Sequence, residues 1–304
     1  MAVLAVGLCT LDLVYAAAAA PGPDEKVQAT AQEVAAGGPA TGAAVAAAAL
    51  GSPVTLVTAL GTHPLAAVAA AEVRGRGVTV LDTTPSRTDP PAVSSAVVAA
   101  DGRRSVVSVN AGGTSAEPPA ELAGLAAAAG AVLVDGHHPR LALAAARAGR
   151  LVLLDGGSWQ PVLPELLPLV DLAVCSSAFR VPGRDTAWAS ATVLQTAYGV
   201  PFVAVTAGPE PVRWWAGYRS GTVPVPRVAA VDTLGAGDAY HGALLHALAG
   251  CAVPVPVAAA VEALAYAAEV AAVRCASFGP RAWLDDPALA TIMAESTSWR
   301  LPKR

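Results

Sequence analysis

Two carboxylates and a run of small residues carry the chemistry most open to reading in this chain: Asp232, Gly235, Ala236, Gly237 and Asp238, within VDTLGAGDAYHGALLHALAG, Val231 to Gly250. The glycines stand directly before an apolar run at helical spacing, Ala239, Ala243, Leu244, Ala247 and Leu248. That order predicts backbone N–H groups converging at a helix N-terminus, unshielded by side chains, where an anion binds well. Asp238 falls just inside the helix start and Asp232 just before the glycines, so a forming phosphate or oxyanion would have a proton acceptor beside it. The same residues also fit a plainer role, with Asp238 complementing the helix dipole and the glycines making a tight turn. The stretch alone leaves both open.

The elements that would position this turn follow from hydrophobic patterning. Ala2 to Leu8 is a short apolar run suited to a strand buried on both faces of a parallel sheet, with Asp12 expected beyond its C-terminal end, the edge where such sheets gather ligands. Lys26 to Val34 is expected as a strand outside the main sheet. In AAGGPATGAAVAAAALG, Gly37-Gly38 precede a helix expected from about Pro39 to Leu50, where two glycines allow close approach of a ligand or of another helix. Strand, helix and strand follow over Val54–Thr58, Leu65–Arg74 and Val78–Leu81.

The alternation then breaks. Val93–Ala100, the turn Asp101-Gly102, and Ser105–Val109 form a hairpin signal ending at Asn110. Together with Lys26–Val34 it is expected to form a small β-lid over the C-terminal edge of the main sheet. Helix and strand resume through Leu122–Ala128, Val132–Val134, Leu141–Ala148, Leu151–Leu154, Leu163–Leu169 and Leu172–Val174. Polar residues stand where those strands end: Asp135-Gly136-His137-His138, Asp155-Gly156-Gly157-Ser158 and Cys175-Ser176-Ser177. Adjacent His137 and His138 make poor metal-pair geometry on a regular element. A helix over Asp185–Tyr198 and a strand over Phe202–Val205 lead to Thr206-Ala207-Gly208, then a smaller hairpin from Arg213–Ala216 and Gly221–Val225. After the opening stretch come a helix from about Val257 to Arg274 and a loop, Ser277 to Arg281.

Composition narrows the class. The 304 residues suffice for a large core, and the apolar residues, among which alanine is the commonest, are spread through amphipathic patterns, not gathered into a membrane span. A net charge of −4 and the absence of any Lys/Arg run argue against nucleic-acid or anionic-membrane partners. Cys9, Cys175, Cys251 and Cys275 are widely spaced with no CxxC pair, so no zinc or disulfide framework is indicated and a cytoplasmic location is expected. The N-terminus lacks the basic region of a secretory signal, and Asp12 interrupts its apolar stretch.

With these residues in place, DTLGAGDAYHGAL closely resembles the C-terminal signature of the PfkB (ribokinase-like) carbohydrate kinases, and AAGGPATGAAVAAAALG with Gly61 resembles their N-terminal signature. Within that family GLCTLDLVY, VLVDGHH, VLLDGG, DAYHGAL and RCASFGPRA are most similar to the ketohexokinase and sulfofructose kinase branch. The resemblance implies one domain over residues 1–304 with a ribokinase-like three-layer α/β/α fold, a mainly parallel central sheet and a small β-sheet lid from segments near 12–36 and 90–111. It implies transfer of the ATP γ-phosphoryl group to a sugar hydroxyl, with Asp238 as base, the Gly235, Ala236 and Gly237 amides as anion hole, and Mg²⁺ arriving with the nucleotide. Asp12, Gly37, Gly38, Asn110 and His137 would line the sugar pocket. Thr206, Gly208, Thr233, Gly235, Gly237 and Gly279 would flank the nucleotide. A nucleoside kinase of the same fold, and a non-catalytic member that binds sugar or nucleotide, are the alternatives. Exposed strand edges on a β-clasp lid would favour a homodimer.

Three positions depart from the family pattern. Gly42 stands where Asn is common after the Gly-Gly pair. Ser176-Ser177-Ala178-Phe179 replaces an Asn-x-x-Glu motif associated with Mg²⁺ and phosphate, and Thr62-His63-Pro64 replaces the usual Asp after Gly61.

Overall fold

The computed structural model describes residues 1–112 and 115–296. Its strands and helices alternate in the order β1 (Val3–Val6), β2 (Thr10–Ala17), β3 (Ala31–Gly37), α1 (Pro39–Ala49), β4 (Val54–Thr58), α2 (Pro64–Gly75), β5 (Val78–Asp82), β6 (Val93–Ala99) and β7 (Arg104–Ser108). The chain continues through α3 (Leu122–Ala128), β8 (Val132–Val134), α4 (Pro139–Ala148), β9 (Val152–Gly156), α5 (Leu163–Leu166), β10 (Leu172–Ser176) and α6 (Ala187–Thr196). It ends with β11 (Phe202–Ala207), β12 (Glu210–Ala216), β13 (Arg219–Val223), α7 (Ala236–Leu248), α8 (Val257–Cys275) and α9 (Pro287–Ser296).

Nine strands form one sheet in the order β13-β12-β11-β10-β9-β8-β1-β4-β5, parallel throughout except for β12 and β13, the smaller hairpin, which extend one edge antiparallel. Its two faces bury alternate residues of the same strands. Val3, Ala5, Leu133, Leu153 and Val174 pack toward α1, α2, α7 and α8, whereas Leu4, Val6, Val134, Leu154 and Cys175 pack toward α3, α4 and α6. Burial on both sides is why these strands read as unbroken apolar runs. The sheet with its two helical layers is the expected three-layer α/β/α architecture. The sequence order reverses at β1, which lies between β8 and β4, and open α/β sheets place ligands at such a switch point.

Alanine explains the helical layer nearest the site. α1 is apolar nearly all round and buried from Ala40 to Ala47 except at Gly42, as expected of a helix enclosed on every side. It crosses α7 so closely that a Cβ at Gly242 would meet the Ala43 carbonyl and the Ala46 methyl. Larger residues would force the two helices apart and carry the start of α7 with them.

The second sheet has the order β3-β2-β6-β7. It contains the expected hairpin and the expected outlying strand, the latter displaced to Ala31–Gly37. It also contains β2, where only a loop bearing Asp12 was expected: Asp12 is the third residue of that strand, paired with Ala35 and Ser94. Val3 to Val14 is apolar apart from Gly7, Thr10 and Asp12, and no Pro or Asn marks the turn between β1 and β2. The inner face of this sheet, Val14, Ala96 and Val98, rests on Leu234 and Phe278. α9 was not anticipated either; Leu289 anchors it to the core beside α8. No described helix is long and apolar enough to cross a membrane, and the four cysteines are free.

Candidate active site

The turn before α7 is built by Gly235. It caps the helix with φ 77°, ψ 6°, a left-handed conformation open to glycine at little cost. Among the described residues, the N–H groups of Gly235 and Gly237 donate to no backbone carbonyl, and Ala236 N–H makes only a long 3.3 Å contact to the Thr233 carbonyl. Two free amides and one weakly engaged amide therefore sit at the positive end of a 13-residue helix. A Cβ at Gly237 would have nothing within 4 Å, so the space above the turn is open.

The two acids of this turn differ in every physical respect. Asp232 is wholly buried, and its carboxylate accepts three donors: Leu234 N–H at 2.8 Å, Gly279 N–H at 3.1 Å and Arg274 Nη2 at 3.1 Å. Asp238 has no hydrogen bond or ion pair among the described residues, and its remaining accessible surface faces a pocket. Burial pushes its carboxyl well above the ordinary range, and the charges of Asp155 and Asp12 push it further, against smaller opposing effects of Arg274 and Arg281. Of the two, only Asp238 has both oxygens unengaged.

Asp12, Gly37, Gly42, Gly235, Asp238 and Arg281 are among the residues around that pocket, a cavity of about 50 Å³. Burial also raises the Asp12 carboxyl, while hydrogen bonds from Thr10 and Ser94 pull the other way; Thr10 Oγ1 donates to Asp12 Oδ1 at 2.5 Å. Gly37 is so close that any Cβ would overlap the Asp12 carboxylate, and Gly38, with φ 94°, lies against the Leu8 carbonyl. Gly42 stands in the same relation to Asp238: a Cβ there would lie 2.5 Å from Oδ2 and 2.6 Å from Cβ. The residue that departs from the family pattern is thus the one that makes room for the acid.

Asn110 and His137 are not brought into this pocket. Asn110 is exposed at the end of the hairpin with φ 49°, its N–H donating to Ser108 Oγ. His137 follows β8, and its N–H donates to Asp135 Oδ1 at 2.9 Å. Asp135 is the more consequential residue of that segment. Its carboxylate also accepts Leu8 N–H at 2.8 Å and Ala40 N–H at 3.2 Å, tying the β1–β2 turn and the start of α1 to the end of β8.

Of the residues expected beside a nucleotide, Thr233, Gly235, Gly237 and Gly279 gather at the α7 turn. Thr206 is the second-last residue of β11, its hydroxyl 3.4 Å from the Cys175 carbonyl, and Gly208 is exposed in the following turn. The small sheet reaches over the turn, because Arg104 Nη1 donates to Thr233 Oγ1 at 2.7 Å and to its carbonyl at 3.1 Å. Glu72, His241, Arg274 and Arg281, all near the site, escaped sequence reading. Arg281 joins the small sheet to α2 by donating to the Ala36 carbonyl at 2.6 Å and to both Glu72 oxygens. His241 lies one turn after Asp238, 3.2 Å from Asp155, with both ring nitrogens directed at acceptors, Gly237 and Val174 carbonyls included. Helical spacing from Asp238 could have flagged His241. Nothing in the pattern could have flagged Arg274, whose burial depends on tertiary packing.

No group of three or more His, Cys, Asp or Glu able to hold a metal occurs among the described residues. Phe179, at the last position of the segment replacing Asn-x-x-Glu, is 1% exposed and packs on Trp159 with ring centroids 6.0 Å apart. That segment therefore offers no carboxylate to a metal.

The fold has close counterparts among solved structures. A provisionally assigned ribokinase from Agrobacterium tumefaciens is 27% identical with TM-score 0.81, the match covering 97% of this chain and 98% of that one. The ribokinase of Giardia lamblia aligns at 19% identity and TM-score 0.82, over 97% and 99% of the chains. The Arabidopsis thaliana ribokinase, solved with ribose and ATP, aligns at 21% identity and TM-score 0.74, over 96% and 99%. The last two, at such identity, speak for the fold alone. The sequence itself matches the family model described as pfkB family carbohydrate kinase over residues 2–287, nearly its whole length, and the chain belongs to that family of carbohydrate kinases.

Proposed function

We propose that this chain transfers the γ-phosphoryl group of ATP to a hydroxyl of a small carbohydrate, with Asp238 as general base and the Gly235, Ala236 and Gly237 amides as the anion hole. One observation carries the reading: an unpartnered carboxylate of raised basicity lines a pocket at the open N-terminus of α7. The acceptor oxygen forms its bond to Pγ as the bridging bond to the β-phosphate breaks. ADP leaves with that electron pair, and the hydroxyl proton passes to Asp238. Phosphoryl transfer needs little covalent assistance, so an aligned base and preorganised amides supply most of what the protein must contribute. The nucleotide is taken as its Mg²⁺ complex.

Asp12, Gly37 and Gly38 are proposed to face the acceptor, Asp12 accepting from a sugar hydroxyl. Thr206, Gly208, Thr233 and Gly279 are proposed to flank the nucleotide. The 50 Å³ cavity is far smaller than the few hundred Å³ of usual ligand pockets, so the small sheet must lift for a sugar to enter. The ketohexokinase and sulfofructose kinase branch is proposed on the sequence segments that resemble it. A cytoplasmic homodimer is proposed as well: β3 and β7 are the edges of the small sheet and expose Val34, Val106 and Val107. A monomeric mass in solution would remove the dimer.

ADP release with MgATP across ketoses, aldoses, a sulfonated ketose and nucleosides tests the function. Sugar-dependent turnover that falls by at least about 10²-fold in Asp238→Asn, with ATP binding retained, is the expected result. Turnover on nucleosides alone would replace the acceptor class, and binding without turnover on any acceptor would overturn the kinase reading.

A further inference from the structure

The mechanism so far leaves unused one of the most deeply buried charges in the protein. Arg274, in the last turn of α8, is 2% exposed and is the largest of the fully buried side chains. Arginine is almost never enclosed to that degree without partners. Its guanidinium donates from Nη2 to Asp232 Oδ2 at 3.1 Å, and from Nη1 to the Asp232 carbonyl at 3.4 Å and the Ser277 carbonyl at 3.2 Å. Two of these acceptors belong to the residue that opens the anion-hole turn, and the third to the loop following α8. Three oxygens converging on one point repel one another unless a cation stands between them, and here a planar fork reaches them from two nitrogens in one fixed plane, a geometry that the single nitrogen of an ammonium does not reproduce. The Nε edge makes none of these bonds. It faces Gly235, whose Cβ, if present, would lie 3.7 Å from Nε, and the side chain lines the pocket with Asp238.

We infer that Arg274 is a positioning residue for phosphoryl transfer: a tethered cation that fixes the turn from Asp232 to Gly235 and sets positive charge behind the amides that receive the phosphoryl oxygens. The inference rests on the kinase reading above. Removing the guanidinium leaves Asp238 and the glycines in the chain but frees the turn that aims the amides. The loss therefore falls on kcat and spares the binding of both substrates. An arginine that served folding alone would lower the melting temperature and leave turnover per folded molecule unchanged.

The test compares wild type, Arg274→Ala and Arg274→Lys on the best sugar acceptor, with and without guanidinium chloride at non-denaturing concentration. Arg274→Ala is expected to lose about 10²-fold in kcat, the scale of a lost oxyanion donor, with both KM values within about threefold of wild type. Guanidinium should restore at least about tenfold of that loss by filling the vacated site, and sodium chloride at equal ionic strength should not. Arg274→Lys should lose about tenfold and gain nothing from guanidinium, because its ammonium occupies the space but not the fork geometry. Amide exchange across Val231 to Gly237 should quicken in both variants. Wild-type kcat in Arg274→Ala, or a loss that guanidinium does not recover, overturns the inference. Should Arg274→Ala fail to fold, unchanged kcat and exchange in Arg274→Lys overturn it. Wild-type protein inactive on every acceptor would instead overturn the kinase reading, and the exchange measurement would still decide what Arg274 does for the turn.

Discussion

Replacing Gly42 by alanine adds one methyl group against the base and nothing else. The new Cβ would stand 2.6 Å from the Asp238 Cβ and 2.9 Å from its Cγ, where carbon atoms settle at about 3.5–4.0 Å, so the two side chains must part by roughly 1 Å. Either α1 and α7 separate or Asp238 turns aside. Separation is the harder course, because α1 is buried along most of its length and Gly242 locks the same crossing further along. Turning Asp238 off its rotamer costs about 0.5–1.5 kcal/mol, and alanine returns about 1 kcal/mol of helix propensity. Those terms nearly cancel, so the melting temperature should move by only a few degrees. A catalytic group displaced by about 1 Å loses about 10²-fold in rate. Steady-state ADP release should therefore show kcat down by about that factor with KM for ATP nearly unchanged. A variant with wild-type kcat would refute Asp238 as the base in this geometry. A rise in sugar KM alone would mean that Gly42 shapes the pocket and not the base.

Three further outcomes follow from the same geometry. Because the folded Asp238 carboxyl titrates above its unfolded value, its contribution favours the fold at low pH and is lost as pH rises through the folded pKa; Asp238→Asn should raise the melting temperature near neutral pH, and the gain should vanish in acid. An unchanged difference across pH would show that the stabilisation is not electrostatic. Gly237→Val meets open space in the protein and should leave the melting temperature within a few degrees while lowering kcat by at least about tenfold, since it fills the region above the amides; parallel losses of both would mark a structural turn. Asp155→Asn removes a charge that raises Asp238, so the acid limb of kcat/KM should shift to lower pH, and a limb that stays put would disconnect Asp155 from the base.

Much of this architecture is legible locally. Val54–Thr58, Leu122–Ala128 and Val132–Val134 were expected at the residues where they occur, because an apolar run between glycines or prolines is a local signal. The Gly235–Asp238 turn was legible for the same reason. β2 was not, since its pairing with Val93–Ala99 arises from residues about eighty positions away. Asn110 and His137 were placed by the family resemblance, and neither is among the residues around the cavity that Asp12 and Asp238 share. Glu72, Arg274 and Arg281 come from segments that read as ordinary helix and terminal loop. Their role lies in which partners tertiary packing brings within hydrogen-bonding distance, and no spacing records that.

The two acids of the α7 turn make the physical point most directly. By spacing alone, either could take a proton beside the amides. Burial by itself does not separate them either, because Asp232 is the more deeply buried. What separates them is compensation: three donors, one of them cationic, engage the Asp232 carboxylate, whereas Asp238 has the charges of Asp12 and Asp155 near it and receives no hydrogen bond among the described residues. A buried carboxylate left without donors is the stronger base, and its oxygens are free to meet a substrate proton. Arg274 thus serves the chemistry by engaging the acid that holds the turn, while Asp238 faces the pocket with no donor of its own.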